Sequence, residues 1–143
     1  MQIQKRQALE ADVPFLLQLR DSTMGPHRRA TGIDGPPDKC EAKVRLRFSS
    51  AEILEIDGRP IGLLKVSRQN AEWELLQLQI ASEFQGQGIG GRLVSGLIAQ
   101  AATAGVPLKL SVLKVNPALR LYERLGFRLV SESEIAYGLR IGD

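Results

Sequence analysis

The 143 residues suit a single domain over 1–143, and 43% of them are apolar, enough to bury a core and to exclude a disordered chain. Lys and Arg exceed Asp and Glu by only three, 19 against 16, and the basic residues are scattered among acids, so no nucleic-acid partner is expected. The one cysteine, Cys40, excludes an internal disulfide and fits a reducing compartment. No run approaches the ~18 apolar residues that span a membrane, and MQIQKRQALEADV lacks the apolar centre of a signal peptide. A cytoplasmic protein without a membrane partner is therefore expected.

IQKRQA (3–8) reads as a first strand. In EADVPFLLQLRDST (10–23), Val13, Leu16, Leu17 and Leu19 gather on one side of a helix that Asp12 can cap. The Gly- and Pro-rich stretch 24–39 is a loop, long for a compact domain and so a candidate for function. CEAKVRLRF (40–48) reads as a short second helix. AEILEID and PIGLLKVSR, on either side of Gly58, form a hairpin, and EWELLQLQI (72–80) adds a third strand to a meander.

After Gly88 the period becomes helical. Ile89, Leu93, Leu97 and Ala101, with Val94 and Ile98 alongside, make one apolar face that Gly105 and Pro107 end. LKLSVLKV (108–115) alternates as a strand. In NPALRLYERLG (116–126), Asn116 takes the cap and Pro117 the first position of a compact helix, with Leu121, Tyr122 and Leu125 on its inner side. FRLVSESEIAYGLRI (127–141) closes the chain as a strand or hairpin. A meander followed by βαβαβ indicates a mixed α/β or α+β architecture, helices packed on a sheet.

EFQGQGIGGRL (83–93) puts four glycines within six positions at a helix start, where main-chain N–H groups can close around phosphate. Its Gly86-x-Gly88-x-x-Gly91 matches the dinucleotide fingerprint by letters. That fold, however, wants the motif near its start and an acid ~20 residues on to hold the ribose. Here several strands precede the glycines, and the following strand ends in Lys114 and Asn116. A nucleotide-triphosphate loop needs Gly-Lys followed by Ser or Thr, and the chain contains neither.

A third pattern fits. Gln85-x-x-Gly88-x-Gly90, after an apolar strand and before an amphipathic helix, resembles the acetyl-CoA motif of the GNAT superfamily of N-acetyltransferases. VNPALRLYERLGF (115–127) is similar to that family's Asn…Leu-Tyr-Glu-x-Leu-Gly-Phe segment. The resemblance covers residues 72–130. It implies the GNAT acyl-CoA N-acyltransferase fold: a central, mostly antiparallel, splayed sheet flanked by helices. It also implies an enzyme that moves acetyl from acetyl-CoA to a primary amine by direct attack in a ternary complex, with no metal. The splayed strands would be 72–80 and 108–115. Leu78, Gln79 and Ile80 would pair with the pantetheine amides, and an N–H near Ile80 would meet the acetyl carbonyl. Gln85, Gly86, Gln87, Gly88, Ile89, Gly90 and Gly91 would hold the pyrophosphate, with Asn116 and Tyr122 also at the cofactor. Homodimers are common in that family. A module that holds coenzyme A without turnover is the alternative.

Acetyl transfer needs the amine deprotonated, the oxyanion stabilised and the thiolate protonated. Tyr122, whose hydroxyl has an ordinary pKa of about 10, is the candidate acid for the departing sulfur. Glu74, on the strand leading to the thioester, is the candidate base. Gln77, near the splay, and His27, in the 24–39 loop, are candidate contacts for the amine acceptor, whose identity the sequence leaves open.

Overall fold

The computed structural model describes residues 2–20, 42 and 44–142. Its strands are β1 (Gln4–Gln7), β2 (Ala51–Ile56), β3 (Arg59–Arg68), β4 (Trp73–Ile80), β5 (Leu108–Leu113), β6 (Arg128–Glu132) and β7 (Ala136–Ile141). The helices are α1 over 13–20, α2 (Ile89–Ala104) and α3 (Leu119–Arg124). The seven strands hydrogen-bond in the order β1-β2-β3-β4-β5-β7-β6. β1–β2, β2–β3, β5–β7 and β6–β7 are antiparallel, while β4–β5 is parallel. That parallel step requires a crossover, and α2 supplies it. This is the mixed, mostly antiparallel sheet expected from the sequence.

The chain divides into two compact units, Met1–Lys65 with Gln77–Gln85, and Val66–Leu76 with Gly86–Asp143. In the first, α1 buries Val13, Leu16 and Leu19, and Leu17 is only partly covered. Leu16 and Leu19 join Ala8, Val44, Ala51, Ile53 and Leu63 in one apolar cluster. The β2–β3 turn places Asp57 at φ 53° and Gly58 at φ 78°, two left-handed residues that match the twist of a hairpin. Asp12 does not cap α1. It accepts the Leu9 N–H at 2.7 Å and a two-pronged bond from Arg6, both at 2.8 Å, so it belongs to the turn before the helix. Arg6 also reaches Glu55 at 2.8 Å.

The helix expected over 40–48 ends earlier than expected. Residues 42, 44 and 45 are helical, then a turn leads into a 3-10 segment at Phe48–Ser50. Lys65 explains how this piece ends. Only 2% exposed on β3, it donates from Nζ to the carbonyls of Val44 and Leu46, both at 2.8 Å. The ammonium thus caps carbonyls that the helix end leaves open. Burial, together with the nearby Arg20 charge, lowers its pKa to about 8. Cys40 and the 24–39 loop lie outside the described residues.

In the second unit α2 buries Ile89, Leu93, Val94, Leu97 and Ala101, the stripe expected of it, and ends at Gly105 with φ 74°. β5 alternates as expected but stops at Leu113: Lys114 and Val115 form a turn. The C-terminal stretch is a hairpin. Its β6 strand carries a register shift between Leu129 and Ser131, and Ser131 sits against Gly138, where any Cβ would collide with the serine. Among the described residues no helix is long and apolar enough to cross a membrane.

Candidate functional site

The glycine-rich turn is built as an open cradle at a helix start. Gly86 and Gly88 adopt φ 77° and 78°, conformations that favour glycine, and space beside both is open. Gly88 is the N-cap of α2. It makes no side-chain cap bond, and no acid stands in the first turn. The Arg92 N–H closes the first turn onto the Gly88 carbonyl at 3.1 Å, so the amides of Ile89, Gly90 and Gly91 precede the first intrahelical bond. The Ile89 side chain is 1% exposed and anchors the helix, which leaves only its main chain to serve a ligand. Gln87 is exposed beside the glycines. Two left-handed glycines, a helix start and a first turn without acids suit an anion.

The same unit sets Tyr122 near this cradle. A Cβ on Gly91 would stand 3.5 Å from Leu121, the neighbour of Tyr122 on α3. Tyr122 is half-buried and meets Phe127 edge to face, with ring centroids 5.8 Å apart. Burial raises its pKa above the ordinary tyrosine value, so the hydroxyl keeps its proton at neutral pH. Asn116 does not cap α3, whose N-cap is Ala118. Its Oδ1 accepts the Ala118 N–H at 2.9 Å and shapes the turn two residues earlier.

Glu74 lies on the edge of a cleft of about 480 Å³, lined also by Lys109, Ser111, Ser131, Glu132 and Tyr137. It pairs across the sheet with Lys109, one step before the last β4–β5 pair, Leu75 with Leu110. Lys109 itself is held by Glu72 at 3.1 Å, and Glu132 by Lys114 at 2.5 Å. The cleft residues Ser111, Ser131 and Tyr137 were not expected from the sequence. Only the alternation of LKLSVL, which sets Lys109 and Ser111 on the exposed face, carried a signal for one of them.

In the first unit the end of β4 holds Gln77, Leu78 and Ile80, all half-buried, and Gln79, 4% exposed. Gln85 donates from Nε2 to the Ile80 carbonyl at 2.9 Å, which ties the residue before the glycines back to the strand end. The Ala81 N–H meets the Ile61 carbonyl at 2.8 Å. Among the described residues no group of His, Cys, Asp and Glu is set to hold a metal. His27 lies outside the described residues.

Known structures share this arrangement of strands and helices. PaiA N-acetyltransferase from Thermoplasma acidophilum, solved in complex with coenzyme A, superposes with a TM-score of 0.75 at 18% identity over 100% of both chains. An acetyltransferase from Thermus thermophilus gives 0.78 at 18% identity, covering 99% of this chain and 97% of the other. N-acetylglutamate synthase from Neisseria gonorrhoeae, complexed with coenzyme A and N-acetyl-glutamate, gives 0.68 at 19% identity, over 98% of this chain and 35% of that one. No curated protein sequence matches the chain. The family model of the acetyltransferase (GNAT) domain matches residues 49–129, a span that holds the hairpin, β4, the glycine cradle, α2, β5 and Tyr122. Sequence and fold agree, and the chain belongs to the GNAT acetyltransferases.

Proposed function

We propose that this acetyltransferase takes acetyl from acetyl-CoA and passes it to a primary amine by direct attack. The observation that carries the reading is the cradle at Gly86–Gly91: two left-handed glycines with open space beside them, at a helix start without a side-chain cap. The amides of Gly88, Ile89, Gly90 and Gly91 hold the pyrophosphate of coenzyme A, with Gly86, Gln85 and Gln87 shaping the approach. The main chain of Leu78, Gln79 and Ile80 pairs with the pantetheine arm, and Asn116 braces the turn before Tyr122.

Glu74 accepts a proton from the acceptor ammonium, directly or through water. The free amine then attacks the thioester carbonyl, and an N–H near Ile80 steadies the oxyanion. As the carbon–sulfur bond breaks, Tyr122 gives its proton to the departing thiolate, a role that suits a hydroxyl kept protonated by burial. Gln77 and His27 stand as acceptor contacts, and a homodimer is part of the same expectation. The test is thiol release from acetyl-CoA with a panel of amines, beside calorimetric titration of coenzyme A and of NAD. Turnover with any amine and tight binding of coenzyme A alone support the reading. Binding of coenzyme A with no thiol release leaves a binding module in its place.

A further inference from the structure

Among the described residues, Gln79 is a buried side chain on β4 that no protein group answers. It is 4% exposed, and among the described residues neither its Nε2 nor its Oε1 has a hydrogen-bond partner. Among the other buried polar side chains of the same unit, Asp12 is met by Arg6 and the Leu9 N–H and Lys65 by two carbonyls, while Arg20 lacks a partner at Nε but makes other interactions. A carboxamide taken from water with both ends unmet destabilises the fold, and an apolar residue of similar size is better tolerated there. Such a residue is retained at a stability cost when a ligand supplies what the protein does not. The strand is not sealed around it, since Leu78 and Ile80 on either side are half-exposed.

We propose that the side chain of Gln79 is a substrate-binding group that takes the C=O and N–H of an amide. A primary carboxamide offers a donor and an acceptor side by side. An amide answers both ends, whereas a simple alkylamine or a carboxylate answers one. This rests on the acetyltransferase reading, in which two substrates can bring an amide: the pantetheine arm of acetyl-CoA, and an acceptor of the amino-acid-amide or peptide type.

The experiment compares the full-length chain with Gln79→Met and Gln79→Leu. The ligand-free melting temperature is read by calorimetry. KM is read by thiol release for acetyl-CoA, for L-alaninamide and for n-butylamine as the amide-free control. With the unmet carboxamide gone, the ligand-free Tm rises by about 2–5 °C. At the same time KM for an amide-bearing substrate rises at least about tenfold, the loss of one well-placed pair of hydrogen bonds. A rise for acetyl-CoA identifies the pantetheine arm. A rise for L-alaninamide with n-butylamine unchanged identifies the acceptor. A fall in ligand-free Tm in both variants, or KM values within twofold of the parent throughout, overturns the proposal. If the parent releases no thiol with any amine, the acetyltransferase reading fails on its own. Calorimetric titration of coenzyme A and of L-alaninamide into parent and Gln79→Met then decides about Gln79, because tenfold weaker binding of either supports it and unchanged binding of both overturns it.

Discussion

Gly62 on β3 lies directly against the main-chain carbonyl of Gln79 on β4: a Cβ built at position 62 falls far inside van der Waals contact with that oxygen. The obstacle is backbone, so no rotamer change relieves it. Gly62→Ala must push β4 away at the segment that ends in Ile80. The expected outcome is a loss of roughly 1–3 kcal/mol in urea unfolding, the usual cost of overpacking, together with a raised KM for acetyl-CoA. An alanine variant as stable as the parent shows that the two strands separate freely here.

Gly86 and Gly88 can be tested without a steric clash in the free protein, since the space beside both is open. Gly88→Ala pays the left-handed backbone penalty, about 1–2 kcal/mol, and its methyl group enters the room a phosphate needs. The Kd of coenzyme A should rise tenfold or more by calorimetry while the fold persists by circular dichroism. Unchanged affinity removes the cradle from the phosphate site.

Tyr122→Phe keeps the ring against Phe127 and removes only the proton donor. A drop in kcat of about a hundredfold is expected if the hydroxyl protonates the thiolate, with KM for acetyl-CoA little changed. Because burial raises the Tyr122 pKa above its ordinary value, the parent should hold its kcat without an alkaline limb from this group up to pH 9. Equal kcat for parent and variant at every pH ends the general-acid role.

Lys65 predicts a pH dependence of stability. Its folded pKa, about 8, lies below the ordinary 10.5, so between those values the unfolded chain binds more protons than the folded one. Stability attributable to this group therefore rises with pH from about 8 toward 10.5, and the penalty is in full force below that window. Lys65→Met, compared with the parent by thermal melts from pH 7 to 10, should flatten this slope. A difference curve that stays level across the window refutes the assignment.

At the acid end Asp12 behaves in the opposite sense. The Arg6 guanidinium, with desolvation working against it and the Leu9 N–H adding to it, holds the Asp12 carboxyl below its ordinary value. Its contribution is present above the unfolded pKa near 4 and disappears as pH falls through the lower folded one. Asp12→Asn should be less stable than the parent at pH 7, and acid melts should show the gap narrowing as pH falls below about 4.

Most of the strand and helix order was legible because its causes are local. Asp57-Gly58 can make a two-residue hairpin turn by itself, and the four-residue spacing from Ile89 to Ala101 needs one covering face, whatever supplies it. The errors fall where a side chain chose between local and distant partners. Asp12 and Asn116 both look like helix caps in sequence, yet Arg6 and the Ala118 N–H claim them for the preceding turns. The left-handed turn at Gly86 and Gly88 was readable because glycine spacing states a backbone need. The unmet state of Gln79 was not, since alternation along QLQI marks a residue as polar without saying whether anything answers it.

The burial of Lys65 has one more consequence if the chain works on an acetyl thioester, as proposed above. Such a thioester acylates free lysine amines unaided, and a pKa near 8 gives Lys65 a larger share of free amine than an ordinary lysine has. At 2% exposure the folded chain keeps that amine from the thioester. An acetyl group found on Lys65 by mass spectrometry would therefore date its own arrival, to a time before the chain had folded.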